Sequence, residues 1–146
     1  GLTIDSLADP GHTLPDTMRK MLSLEISAKI QNLALNYLEQ ENEKILHEVH
    51  ELIEEARSLN MKFSFGGTGR YFYAKLSEMI REVSDVPDAD EVRYITGLIS
   101  MADWLHLYIN KTALENQAFE IYQRYREEPE GELSVLRPMF DWLNFE

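Results

Sequence analysis

Seven apolar residues, Ile45, Leu46, Val49, Leu52, Ile53, Ala56 and Leu59, recur at i, i+1, i+4, i+7, i+8, i+11 and i+14, with mostly charged residues between them. This spacing returns an apolar side chain to one face of a helix of 3.6 residues per turn, whereas a strand would scatter the same set over both faces. The segment therefore predicts an amphipathic helix ending near Asn60. A single stripe of that kind has to be buried against another element, so the remaining segments decide the fold class.

They repeat the theme. From Met18 to Leu38 the apolar positions are Met18, Met21, Leu22, Leu24, Ile26, Ile30, Leu33, Leu35, Tyr37 and Leu38, a broad distribution that predicts a helix covered on more than one side. Thr13 reads as its N-cap, with Pro15 and Asp16 in the first turn. Glu39–Asn42 marks a polar break. Three of the seven glycines fall in Gly66-Gly67-Thr68-Gly69, where a sharp turn is expected. A third helix follows with Phe72, Tyr73, Leu76, Met79, Ile80 and Val83 on one face, punctuated by Pro87. Asp88 with Glu91 forms a capping-box start for a fourth, carrying Val92, Ile95, Leu98, Ile99, Ala102 and Leu105. Asn110 caps a fifth, with Leu114, Ala118, Ile121, Tyr122 and Tyr125 inward, ended by Glu127-Glu128-Pro129-Glu130-Gly131. The tail from Leu133 is aromatic-rich, with room for a short turn of helix. Only Met61–Phe65 offers any strand character, and it is short. The expectation is an all-α fold, an antiparallel bundle of about five helices with short loops, in which residues 1–13 are an entry arm or linker and 14–146 a single helical domain.

Composition narrows the function. The 146 residues include no cysteine, which removes disulfides, zinc ribbons, iron–sulfur ligation and cysteine nucleophiles, and suits a reducing compartment. Fourteen basic residues against 26 acidic ones leave a net charge of −12, a field that repels nucleic acid and anionic membrane surfaces. No apolar run reaches the roughly 18–20 residues of a membrane span. The opening Gly1-Leu2-Thr3-Ile4-Asp5 has neither the basic start nor the apolar core of a secretory signal, and without an initiator methionine it reads as a processed protein or, the favoured reading, a piece of a longer one; a cytoplasmic location is expected.

Motifs that carry chemistry are sparse. His47-Glu48-Val49-His50-Glu51 offers i, i+4 pairs, His47 with Glu51 and His50 with Glu54, but its histidines are three apart where the zincin pattern needs four, and all occupy polar helix positions. The expectation there is a solvated, charge-laced face and no metal. No second Glu-x-x-His motif exists to build a di-metal bundle, since His12 and His106 are isolated. Gly66–Arg70 precedes a helix and could present amides to a phosphate, yet it lacks the P-loop spacing and lysine and reads as an interhelical turn. Serines such as Ser23 and Ser100 have no elbow motif or nearby histidine. The acids fall on outward faces; Asp103, within an apolar stretch beside Trp104, is expected to point outward or bond a neighbouring helix. No catalytic residue and no cofactor is assigned. The aromatics Trp104, Tyr108, Phe140, Trp142 and Phe145 suit a core or a docking surface, and the cluster Phe140, Trp142, Leu143 and Phe145, crowded beside the terminus, is the candidate docking surface, to be covered by the chain's own helices, a second copy, or the upstream part of a longer protein.

From Leu14-Pro15-Asp16-Thr17-Met18-Arg19 onward, the chain resembles the C-terminal helical region of large bacterial proteins related to the family-57 glycoside hydrolases, which are alpha-amylase and alpha-mannosidase-like. The Leu-Pro start, the Glu48-to-Leu59 segment and Leu98-Ile99-Ser100-Met101-Ala102 leading through Leu105 to Asn110 carry the resemblance, which covers about residues 14–126; Thr112 and Glu115 depart from it. It implies a non-catalytic accessory domain packed on an upstream catalytic barrel that would hold the carboxylates of the reaction. A stand-alone adaptor whose acidic surface binds a protein partner, and a metal-binding bundle using the His47–Glu54 face, are the alternatives.

Overall fold

The structure, a computed structural model, describes residues 15–145. Helix accounts for 74% of them, in six α-helices and one 3₁₀ turn, and among the described residues there is no strand. In chain order these are α1 (Asp16–Tyr37), α2 (Glu43–Ser58), α3 (Thr68–Glu82), α4 (Ala89–Trp104), α5 (Lys111–Glu127) and, after a 3₁₀ turn (Glu132–Leu136), α6 (Arg137–Trp142). The sequence expectation of an all-α bundle holds, with the tail supplying a sixth, six-residue helix where a single turn was expected. Thr13 and the 1–13 arm lie outside the described residues, and α1 starts at Asp16 with Pro15 in the N-cap position.

Local chemistry sets the helix boundaries. Asn42 Oδ1 accepts from the amides of Lys44 and Ile45, so the polar break at 39–42 contains the cap of α2. The Asp88–Glu91 box forms in both directions, Asp88 Oδ1 accepting from Asp90 N and Glu91 Oε2 from Asp88 N. Asn110 Oδ1 accepts from Ala113 N at the start of α5. Gly67 has φ +86°, a left-handed conformation that glycine adopts without a side-chain clash, and it turns the chain into α3.

Packing follows from which face each helix buries. α1 lies along α2, α2 meets α4, and α3 contacts both α4 and α5, while the tail closes over α4 and α5. One continuous core runs from Leu22 to Leu143. α1 is fastened at both ends: Arg19 Nη1 donates to Leu59 O at 2.6 Å, and Tyr94 Oη donates to Tyr37 O. Tyr37 and Tyr94 meet edge to face at 5.3 Å, and the Tyr37 ring fits against Gly97, where an added Cβ would collide with it. Burial first, and then Glu78, Glu41 and Glu39, push the Tyr94 hydroxyl up to about 12; Tyr37 is pushed higher still, again by burial first. Among the described residues the Tyr37 hydroxyl has no hydrogen-bond partner.

Candidate docking groove

The four tail residues do not share one surface. Phe140 and Leu143 are buried inside the chain's own core, which is one of the covers the sequence reading allows for this cluster. The reason is periodicity: Leu133, Leu136, Met139 or Phe140, and Leu143 fall three or four apart and form one inward stripe across the 3₁₀ turn and α6. Phe140 meets Tyr122 at 5.2 Å and Tyr125 at 4.9 Å, and Phe145 stacks on Tyr122 at 4.1 Å. Trp142 is half-buried; its Nε1 donates to Asp103 Oδ1 at 3.0 Å, and Lys111 Nζ sits 4.5 Å from its ring centre. Asp103 is thus exposed and bonded to a neighbouring helix at once. Together these contacts make an aromatic clasp that holds the chain end down.

The histidine face stays separate from any pocket of acids. His47 Nε2 lies 3.0 Å from Glu51 Oε1, with both side chains exposed, and His50 Nε2 lies 3.8 Å from Glu54 Oε1. Among the described residues no three metal-capable side chains gather at one point. His50 leans instead on Trp104, with ring centres 4.7 Å apart, and Trp104 in turn lines a groove.

That groove is what sequence reading missed. It runs between the end of α2, the extended segment 61–65, the start of α3 and the loop 105–108, in two joined halves of about 310 and 390 Å³ that share Phe63, Phe65, Leu105 and His106. One half is floored by Ile53, Ala56 and Met61 and edged by Arg57, Lys62 and Trp104. The other contains Gly66, Gly67, Gly69, Arg70 and Tyr108. Gly69 is required where it sits, because an added Cβ would strike the Tyr108 carbonyl of the loop crossing over it. Tyr108 itself is 86% exposed.

The electrostatics of the groove run against those of the chain. The described residues that line it include Arg57, Lys62, Arg70 and His106 and no aspartate or glutamate, although the chain has 26 acids. Sequence carries a trace of this: no acid occurs from residue 56 to 77, a stretch holding Arg57, Lys62, Arg70 and Lys75 along with Phe63 and Phe65. Half-buried aromatics beside arginine, over an apolar floor, are the composition of a recognition surface. Comparison of the chain with protein-family models, curated proteins and solved structures finds no match. No helix among the described residues is long and apolar enough to cross a membrane.

Proposed function

We propose that this chain is a non-catalytic docking module, an accessory helical domain of a larger carbohydrate-active protein related to the glycoside hydrolases, whose groove holds a segment of protein bearing apolar and acidic side chains. The observation that carries the reading is an aromatic groove whose lining holds Arg57, Lys62 and Arg70 and no acid, in a chain of net charge −12; among the described residues, Arg57 alone of the three is paired to a carboxylate, that of Glu54 at 3.0 Å. Opposite charge on the occupant would speed its encounter and select its register, and the aromatic floor would supply most of the affinity. A partner of this kind differs from the basic one that overall charge suggests, because the groove rather than the mean surface does the recognising. The carbohydrate link comes from the family resemblance of residues 14–126, and the occupant it implies is a segment of the upstream part of the same protein, in the cytoplasm.

A fluorescently labelled peptide alternating leucine or phenylalanine with aspartate tests this. It should bind the parent chain, bind about tenfold or more weakly to Lys62→Glu/Arg70→Glu, and weaken as salt is raised. Equal affinity for parent and double variant would overturn the groove reading. Turnover of alpha-glucans by the purified chain, abolished by one Asp or Glu substitution, would overturn the non-catalytic reading, since glycoside hydrolysis needs two carboxylates at a set separation.

A further inference from the structure

The outer side of α1 carries a second stripe, apolar at four of its five positions, that the groove does not use. The buried stripe of this helix is Leu22, Ile26, Ile30, Ala34 and Tyr37. On the far side, Met21 is 65% exposed and Leu24 72% exposed, and Ala28, Gln31 and Leu35 are exposed with them. The steps between these five are three, four, three and four residues, the a/d spacing of a coiled coil. Lys20 and Glu25, both exposed, flank the stripe at the g and e positions that follow from this register.

We propose that α1 is a self-association helix: two copies of this chain pair their α1 helices in parallel and in register through this stripe. The flanking charges select the direction. In a parallel pair a g residue faces the e residue five positions further along the other helix, so Lys20 of one copy meets Glu25 of the partner subunit, and the two-fold axis makes the same contact twice. An antiparallel pair centred on Ala28 would set Lys20 and Glu25 against uncharged positions and gain no ion pair. Gln31 at a d position meets its own copy across the axis, where paired amides satisfy each other and resist a slip of register. The stripe spans only about 21 Å of helix. Its shortness is offset because α1 is already held helical by its inner face, through Arg19 to Leu59 and Tyr94 to Tyr37, so pairing does not carry the cost of helix nucleation.

Sedimentation equilibrium of the 146-residue chain, from micromolar to millimolar concentration, should show a mass that climbs from 17.0 kDa toward twice that value. Leu24→Lys, at an exposed site, should hold it at 17.0 kDa with helical circular dichroism unchanged. Lys20→Glu and Glu25→Lys should each weaken association about fivefold to tenfold by placing like charges together, and the combined swap should restore it. Because the chain has no cysteine, Leu24→Cys under mild oxidation should give a covalent dimer. A parent chain that stays at 17.0 kDa throughout, a mass indifferent to Leu24→Lys, or cross-linking by Ala28→Cys but not by Leu24→Cys would each overturn the proposal.

Discussion

The outer stripe of α1 and the C-terminal clasp are both rich in large apolar side chains near an end of the described chain, yet the fold treats them in opposite ways. In the clasp, Leu133, Leu136, Met139, Phe140 and Leu143 lie on one stripe, and that stripe is buried against Tyr122 and the helices beneath. α1 has two stripes, and folding buries one. Apolar density therefore says little about where a protein presents a surface. What matters is whether the apolar positions exceed what a single helical face can hold: the excess on α1 has no place in this core, whereas of its large apolar side chains the tail leaves only Val135 exposed, with Trp142 and Phe145 half-buried.

Removing the centre of the clasp should have the largest effect. Phe140→Ala is expected to destabilise the fold by about 3–5 kcal/mol, the range for a buried phenylalanine whose surroundings relax only partly. Chemical denaturation measures this, and a loss under about 1 kcal/mol, closer to that of a surface substitution, would break the contrast by showing the clasp to be loose.

The inner face of α1 comes next. Gly97→Ala drives a Cβ into the Tyr37 ring, and the loss of about 1–3 kcal/mol for overpacking should exceed the gain in helix propensity. A neutral or stabilising result in thermal melts would mean that α1 can lift from α4 freely.

Two tyrosines sharpen the same point. Tyr94→Phe removes a donor from the Tyr37 carbonyl and should cost about 1–2 kcal/mol, while Tyr37→Phe removes a buried hydroxyl without a described partner and should be neutral or slightly stabilising. Tyr94 also sets a pH response. Its pKa stands raised from 10.0 to about 12 in the folded chain, so the folded state holds the proton more tightly than the unfolded one. That stability is fully present below pH 10 and is lost as pH climbs toward 12; denaturation midpoints across this window should fall less steeply in Tyr94→Phe than in the parent. The smallest effect belongs to the outer stripe: Leu24→Lys should change the stability of the single chain by no more than about 0.5 kcal/mol, as at other exposed sites.

Local signals in the sequence were enough for the helices and two of their caps, because Asp88 with Glu91, and Asn110, act on amides two or three residues away. The cap at Asn42 is hidden inside the polar run Glu39–Asn42, where nothing marks which residue ends one helix and starts the next. Crowding of Phe140, Trp142, Leu143 and Phe145 was legible; its destination was not, because the rings that receive it, Tyr122 and Tyr125, stand on the preceding helix. The breadth of the α1 pattern predicts cover on more than one side, and the described chain supplies that cover on one. Distance hid the groove almost entirely. Arg57, Lys62, Phe63 and Arg70 are neighbours in sequence, but Trp104 at the end of α4, and His106 and Tyr108 in the loop after it, arrive some 40 residues later, and only the acid-free run from 56 to 77 hints at a site.

Peroxide oxidation of the dilute chain, followed residue by residue by mass spectrometry, compares the two regions within one molecule, because each contains a methionine: Met21 in the outer stripe of α1 and Met139 under the clasp. Conversion to the sulfoxide needs access to the sulfur, so Met21 should react at close to the rate of a free methionine and Met139 at least about tenfold more slowly. Raising the chain concentration should slow Met21 and leave Met139 unchanged. Comparable rates at the two sites, or a Met139 that oxidises first, would contradict the account.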